Sequence, residues 1–342
     1  MIKTAVILYN LVGPDRPASV RPFLFNLFND PAIIRLPAAL RYLIARLISS
    51  KRATIAQEIY GKIGGGSPIL ENTKQQALAL ERKLETKCFI AMRYWHPFVE
   101  EMIGDVKAFA PDRIVLLPLY PQFSTTTTAS SLKSWEKVTR KVGLKIPTTT
   151  ICCYPEEAGF IQALAAKIHV AYAEAETYGS PRVLFSAHGL PEKIVTAGDP
   201  YPQHCARTVE ALRRALNIDG LDGVLCYQSR VGPLKWIGPS TDEEIKRAGR
   251  NKAPVVIAPI AFVSEHSETL VEIDMEYRHL AEISGVPYFA STGTVADDPL
   301  FIDGLAGLVQ VALASDKACV PGGGARLCPA DICACPMGIP AK

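Results

Sequence analysis

Short apolar runs rich in strand formers alternate with helical patterns along almost the whole of this chain, and that alternation leaves it few possible folds. Strand-like runs are read at 4–11, 113–120, 148–154, 182–188, 223–229, 254–262 and 286–290. Between them, apolar residues recur at helical spacing over 71–85, 98–109, 159–178, 205–216 and 268–283. Parallel strands need long crossovers, usually helical, so the pattern predicts an α/β architecture of parallel sheets flanked by helices. A length of 342 residues favours two domains. The break falls between Tyr154 and Pro181, giving two doubly wound, Rossmann-like halves with an active-site cleft expected between them. The expected boundaries are 1–155, 156–315 and a cysteine-rich tail at 316–342.

Composition removes several function classes. With 48% hydrophobic and 21% charged residues the chain has the material for globular cores and is not of the disordered type. Its 37 basic and 34 acidic residues give a net charge of +3, too little to argue for nucleic acid as a partner. No uncharged apolar stretch is long enough for a membrane span. The N-terminus reads as a first strand rather than a signal peptide, which sets the expectation of a cytoplasmic protein.

The most informative local feature is Val183-Leu-Phe-Ser-Ala-His188-Gly-Leu-Pro191. An apolar strand runs straight into a small-residue turn that carries a histidine, and Pro191 keeps the strand from continuing. The carboxyl ends of parallel strands open into the ligand crevice of such folds. His188 is thereby placed where a proton acceptor or metal ligand is useful. After the run at 254–262 comes a second cluster, Glu265-His266-Ser-Glu268, with Glu272 and Glu276 following at four-residue spacing. On a helix these carboxylates line one face, where mutual repulsion suggests either full solvation or a positive guest. If His188 and Glu268 face each other they offer a nitrogen and an oxygen to a divalent metal, or a base and a proton exit.

Other strand ends carry aromatics, hydroxyls and cations: Tyr120 to Ser124, and Gln228-Ser-Arg230 with Trp236. Gly64-Gly-Gly66 is read as a tight turn, because nothing around it fits a phosphate-loop or dinucleotide fingerprint. Residues 30–52 form a separate object, with Pro37 opening a helix that carries Leu40, Leu43, Ile44 and Leu47 among Arg41, Arg46, Lys51 and Arg52. It reads either as an amphipathic helix packed on the core or as an apolar, cationic lip for a membrane surface or a greasy anionic substrate. In the tail, Cys319, Cys328, Cys333 and Cys335 sit among glycines and prolines that cannot pack by themselves, which suggests a metal or iron–sulfur staple.

Taken together these residues resemble the ferrochelatase family, over nearly the whole chain. The landmarks are Gly64-Gly-Gly-Ser-Pro68, Arg93-Tyr-Trp-His96-Pro97, Leu117-Pro-Leu-Tyr-Pro-Gln-Phe-Ser124, Ser186-Ala-His188-Gly-Leu-Pro191 with Gly198-Asp-Pro-Tyr201, Gln228-Ser-Arg-Val-Gly-Pro233 with Trp236, and Ser264-Glu-His-Ser-Glu268. The resemblance implies two chelatase-type domains with porphyrin between them, and insertion of Fe²⁺ into protoporphyrin IX as the terminal step of haem synthesis. It implies that His188 and Glu268 are metal ligands and proton handlers, with Glu272 and Glu276 continuing an acidic path. Arg93, Tyr94, Tyr120, Ser124, Gln228 and Trp236 are the expected substrate-binding residues.

The tail resembles that of family members with a [2Fe–2S] cluster, which draw three cysteines from a C-terminal extension and one from mid-chain. Cys328, Cys333 and Cys335 suit the tail role; Cys153 is taken as the fourth ligand, with Cys152 and Cys319 as competitors and zinc or free thiols as alternatives. The N-terminal motif reads Asn10-Leu-Val12-Gly13-Pro14, where the family usually has two adjacent glycines or Gly-Thr. Two other readings are weighed against protoporphyrin ferrochelation. One is the same chemistry on coproporphyrin III; the other is a non-catalytic tetrapyrrole or metal carrier, disfavoured because a carrier needs no proton acceptor. The partners expected are the porphyrin, Fe²⁺ and peripheral contact with a membrane surface.

Overall fold

The computed structural model describes residues 2–11, 13–230, 232, 234–328 and 334–337. Val12 and Cys333 lie outside the described residues. The chain forms two compact units: the stretch up to Cys152 together with Ala306–Val320, and Cys153–Leu305 together with the tail from Pro321.

The first unit is built on a parallel sheet of β1 (Thr4–Leu11), β2 (Lys87–Arg93), β3 (Arg113–Pro118), β4 (Thr148–Ile151) and β9 (Cys319–Val320), in the spatial order β2-β1-β3-β4-β9. Its helices are α1 (Val20–Phe28), α2 (Ala38–Gly61), α3 (Ile69–Leu84), α4 (Val99–Phe109) and α5 (Thr128–Val142). β1 lies in the middle, and Ala5 to Tyr9 are completely buried, as a strand covered on both faces requires. One core cluster gathers Ile7, Tyr9, Ile103, Val106, Leu116 and Trp135.

The second unit holds a parallel sheet of β5 (Arg182–His188), β6 (Asp222–Gln228), β7 (Val255–Pro259) and β8 (Phe289–Ser291), in the order β6-β5-β7-β8. Its helices are α6 (Ala158–Glu176), α7 (Glu192–Thr196), α8 (Tyr201–Leu216), α9 (Thr241–Arg250), α10 (Arg278–Ile283) and the start of α11 (Pro299–Ala314), whose part from Ala306 belongs to the first unit. From β5 the chain passes to β6 on one side and then crosses to β7 on the other. The carboxyl ends of β5 and β7 therefore flank the topological switch point, where ligands bind in open α/β sheets. A buried ion pair stabilises the base of this sheet. Arg182 at the start of β5 reaches Glu244 of α9 at 3.2 Å and Asp222 of β6 at 2.9 Å.

The α/β reading of the sequence holds, down to the limits of β1 and β5. One difference matters for function. The stretch read as a helix from 268 to 283 is wound as a π-helix over Glu268–Tyr277 and becomes α-helical only from Arg278. Such windings are rare and concentrate at functional sites. α2 is present behind Pro37. Its Leu40, Leu43 and Leu47 are exposed, Leu43 by 63%, while Ala45 and Ser49 face inward.

Candidate active site

β5 and the π-helix bring together the two residues that sequence reasoning singled out first. His188 is the last residue of β5, and Glu268 opens the π-helix that follows β7. His188 Nε2 stands 3.7 Å from Glu268 Oε1, with both side chains about one-third exposed (37% and 33%). The other ring nitrogen, Nδ1, lies 2.6 Å from the carbonyl oxygen of Gly189. A carbonyl can only accept, so Nδ1 carries the proton in the neutral ring and Nε2 keeps its lone pair free. That lone pair is what a base or a metal ligand needs.

Gly189 makes this geometry possible. A Cβ there would sit 2.9 Å from the Gln228 carbonyl oxygen and 3.2 Å from the Trp236 ring. The turn after His188 thus packs directly against the end of β6 and the loop beyond it. Trp236 pairs its backbone with Pro191, and its indole Nε1 is buried without a hydrogen-bond partner among the described residues.

A second histidine completes the surroundings of Glu268. His266 Nδ1 donates to the Ser264 carbonyl at 3.2 Å, and its Nε2 faces Glu268 Oε2 at 3.7 Å. That oxygen is sealed from solvent and makes no direct hydrogen bond among the described residues. Burial raises the Glu268 pKa, but the His188 and His266 imidazoles beside it act more strongly the other way and hold the carboxyl at about 2. Glu268 is therefore an anion throughout the working pH range.

Glu272 is a different kind of carboxylate. Its Oε1 accepts from the Ser229 backbone N–H at 2.8 Å and from the Tyr277 hydroxyl at 2.9 Å; its Oε2 accepts from the Ser229 hydroxyl and from Gln228 Nε2 at 3.2 Å. Burial, and then the charge of Glu268, push its pKa above the ordinary value despite those donors. Gln228 is oriented by the Ser186 hydroxyl, which donates to its Oε1 at 2.8 Å, and its amide also reaches the Glu268 carbonyl oxygen at 3.3 Å. Glu276 is exposed, further along the π-helix. The result is an ionised carboxylate, a carboxyl more readily protonated, and a solvated one, in chain order.

The remaining residues expected from sequence belong to other elements. In the first unit, Arg93 ends β2, Tyr94 follows it, and both are engaged with Asp30. Arg93 Nη2 contacts Asp30 at 2.5 Å, the Tyr94 hydroxyl donates to the same oxygen at 3.1 Å, and Ser130 donates to it at 2.6 Å. Tyr120 and Ser124 follow β3; Tyr120 belongs to the main core cluster and Ser124 pairs with Thr126. Among the tail cysteines, Cys328 and Cys335 are buried and in thiol contact with each other. Cys153 is buried as well, and its carbonyl accepts from Gly322 N–H at 2.7 Å. Cys152 instead meets Cys319 through its thiol. Among the described residues, no three His, Cys, Asp or Glu side chains converge on one point suited to a metal ion. His266, Ser229 and Tyr277 are functional neighbours that the sequence did not mark. The cluster Glu265-His266-Ser-Glu268 at a strand end was the available signal for His266.

Comparison with known proteins decides the family. The ferrochelatase family model matches residues 3–313. The chain belongs to the ferrochelatase family. It is 52% identical over 341 residues to a protein named ferrochelatase from Caulobacter vibrioides (strain NA1000 / CB15N), covering 98% of this chain and 97% of that one. It is also 52% identical over 313 residues to a ferrochelatase of Wolbachia sp. subsp. Drosophila simulans (strain wRi), covering 90% and 98%. Among solved structures, it resembles the sirohydrochlorin chelatase SirB from Bacillus subtilis subspecies spizizenii in complex with cobalt. There the TM-score is 0.55 at 10% identity, covering 92% of this chain and 97% of that one, a likeness of fold. As a ferrochelatase-family member the chain is an enzyme of haem synthesis that acts by metal insertion, with porphyrin and Fe²⁺ as its substrates.

Proposed function

We propose that this chain inserts Fe²⁺ into protoporphyrin IX, with His188 as the acceptor of pyrrole protons and Glu268 as its anionic partner. The observation that carries this reading is the contact of His188 Nδ1 with the Gly189 carbonyl oxygen at 2.6 Å. The Gly189 carbonyl holds the ring proton on Nδ1, so Nε2 is a free base beside a carboxylate that stays ionised. Insertion replaces two pyrrole N–H protons by one Fe²⁺, so two protons must leave as the metal binds. His188 takes each proton as it is released, and Glu268 stabilises the imidazolium so formed. Glu272, whose carboxyl is the more readily protonated, receives the proton next, and the exposed Glu276 passes it to solvent. Fe²⁺ is a substrate here, and the same two donors, His188 and Glu268, are the ones that meet it. Gln228 serves substrate handling by orienting Glu272, and Trp236 by bracing the His188 turn. Arg93, Tyr94, Tyr120 and Ser124 support the strand ends of the first unit and are proposed as its substrate contacts.

Cys153, Cys328, Cys333 and Cys335 are proposed to hold a [2Fe–2S] cluster. Supporting this, Cys328 and Cys335 are buried in thiol contact, and the Cys153 backbone is hydrogen-bonded to the tail at Gly322. A donor set of thiolates suits iron and sulfide. When bound, the cluster supplies a covalent tie between tail and body.

No helix among the described residues is long and apolar enough to cross a membrane. The exposed leucines of α2, with Arg46 and Lys51 near them, support peripheral contact of a cytoplasmic protein with an anionic membrane surface. They also favour a greasy, two-propionate porphyrin over one with four carboxylates. The test is anaerobic turnover with Fe²⁺ and either protoporphyrin IX or coproporphyrin III. Faster haem formation from protoporphyrin IX is expected. Turnover with coproporphyrin III alone overturns the substrate assignment, and porphyrin binding without metallation overturns the enzyme reading.

A further inference from the structure

Helix α8 carries a residue that the chemistry above does not use. His204 is completely buried, and its Nε2 stands 3.3 Å from the Sγ of Cys328, 124 residues further along the chain. Cys328 is held from a second side as well, because Arg326 Nε donates to its carbonyl oxygen at 3.0 Å. The helix that presents His204 is itself anchored. Its Thr208 hydroxyl donates to the Pro155 carbonyl at 2.8 Å, and Arg207 pairs with Glu156 at 2.7 Å. The segment 155–156 that α8 grips in this way begins two residues after Cys153. One rigid element thus holds an imidazole against one tail cysteine and fixes the chain beside the mid-chain cysteine.

We propose that His204 is a positioning residue for the iron–sulfur cluster: its Nε2–H donates to the Cys328 sulfur, orients that thiolate and raises the reduction potential of the cluster. This rests on the reading that Cys153, Cys328, Cys333 and Cys335 ligate the cluster. With free thiols either atom can be the donor. A cysteine sulfur bound to iron has lost its proton and can only accept, so in the loaded protein the contact survives only as N–H···S. Hydrogen bonds to cluster sulfurs favour the reduced form, which carries one more negative charge, and outer donors of this kind also fix the ligand's direction. In a buried setting the effect is little screened by water.

The test uses the full chain purified without oxygen, as wild type, His204→Leu and His204→Gln. Leucine removes the donor, whereas glutamine retains an N–H at a similar reach. Iron and sulfide content, visible circular dichroism and the midpoint potential of the cluster are the readouts, none of which requires turnover. The expected result is a wild-type potential and spectrum in His204→Gln, with a more negative potential and displaced sulfur-to-iron bands in His204→Leu. Loss of the cluster in His204→Leu with retention in His204→Gln supports the same role. An unchanged potential and spectrum in His204→Leu overturns it. So does loss of the cluster from both variants while both remain folded, because one of them still carries a donor. Absence of iron and sulfide from the wild type would overturn the cluster reading itself, a separate failure.

Discussion

His188 Nε2 and Glu268 Oε1 lie 3.7 Å apart at the carboxyl ends of adjacent parallel strands, β5 and β7. Neither residue owes its position to local sequence preference. His188 is the last residue of β5, Glu268 opens the π-helix that follows β7, and the crossing of the chain over β5 brings those two strand ends side by side. The pair sets an imidazole whose Nδ1 faces the Gly189 carbonyl beside a carboxylate that stays ionised at working pH.

The two neighbouring carboxyls are coupled, and this has a pH signature. Glu268 is depressed to about 2, so the stability that its ionisation gives the fold is complete above the ordinary carboxyl range and is lost as pH falls through that value. Glu272 is shifted the other way, by burial first and then by the Glu268 charge, so the fold opposes its ionisation as pH rises through the ordinary range. In Glu268→Gln the second cause is gone. The carbonyl stretch of protonated Glu272, followed by infrared titration, should then disappear at lower pH than in the wild type. An unmoved midpoint would contradict the coupling.

Gly189→Ala puts a methyl group against the Gln228 carbonyl and the Trp236 ring. Overpacking of this kind costs about 1–3 kcal/mol, and here the relief must come from the turn that holds His188. A lower Tm together with turnover reduced at least ~10-fold, about the 1.4 kcal/mol of a mispositioned base, is expected. Wild-type turnover in this variant would show that the Gly189 carbonyl does not set the base.

Glu244→Gln separates stability from chemistry. It removes one partner of a buried ion pair and leaves the Arg182 guanidinium with only the half-exposed Asp222. Breaking such pairs costs about 3–5 kcal/mol. Scanning calorimetry should show a lower Tm while turnover well below the transition stays at the wild-type level. An unchanged Tm would mean that the pair contributes nothing net.

Replacing Leu40, Leu43 and Leu47 with serine removes the exposed apolar row of α2. The three side chains stand largely in solvent, so the Tm should hardly move. Sedimentation with vesicles of anionic lipid is expected for the wild type and should be lost in the triple variant. Failure of the wild type to sediment would end the membrane assignment.

The parts of this molecule that were legible in its sequence are those where one strand carries its own signal. β1 and β5 are predominantly apolar runs that lead into turns, and their limits match those expected from sequence at 4–11 and 182–188. β2 was not read, because Lys87-Cys-Phe-Ile-Ala-Met-Arg follows α3 after only two residues and its short apolar stretch blends with the helix before it. β9 is two residues long and exists only through its pairing with β4. The π-winding over Glu268–Tyr277 has no periodic signature of its own, so it reads as an ordinary helix. The same applies to His266, Ser229 and Tyr277. Each acts on Glu268 or Glu272 through distance in space, which no local spacing reports.

The most direct measurement is anaerobic haem formation from protoporphyrin IX and Fe²⁺ by the wild type and by His188→Ala, with porphyrin affinity followed by fluorescence quenching. The wild type should form haem, and the variant should bind porphyrin with similar affinity and form none above the uncatalysed rate. Substantial turnover by His188→Ala would contradict the assignment of His188 as the proton acceptor.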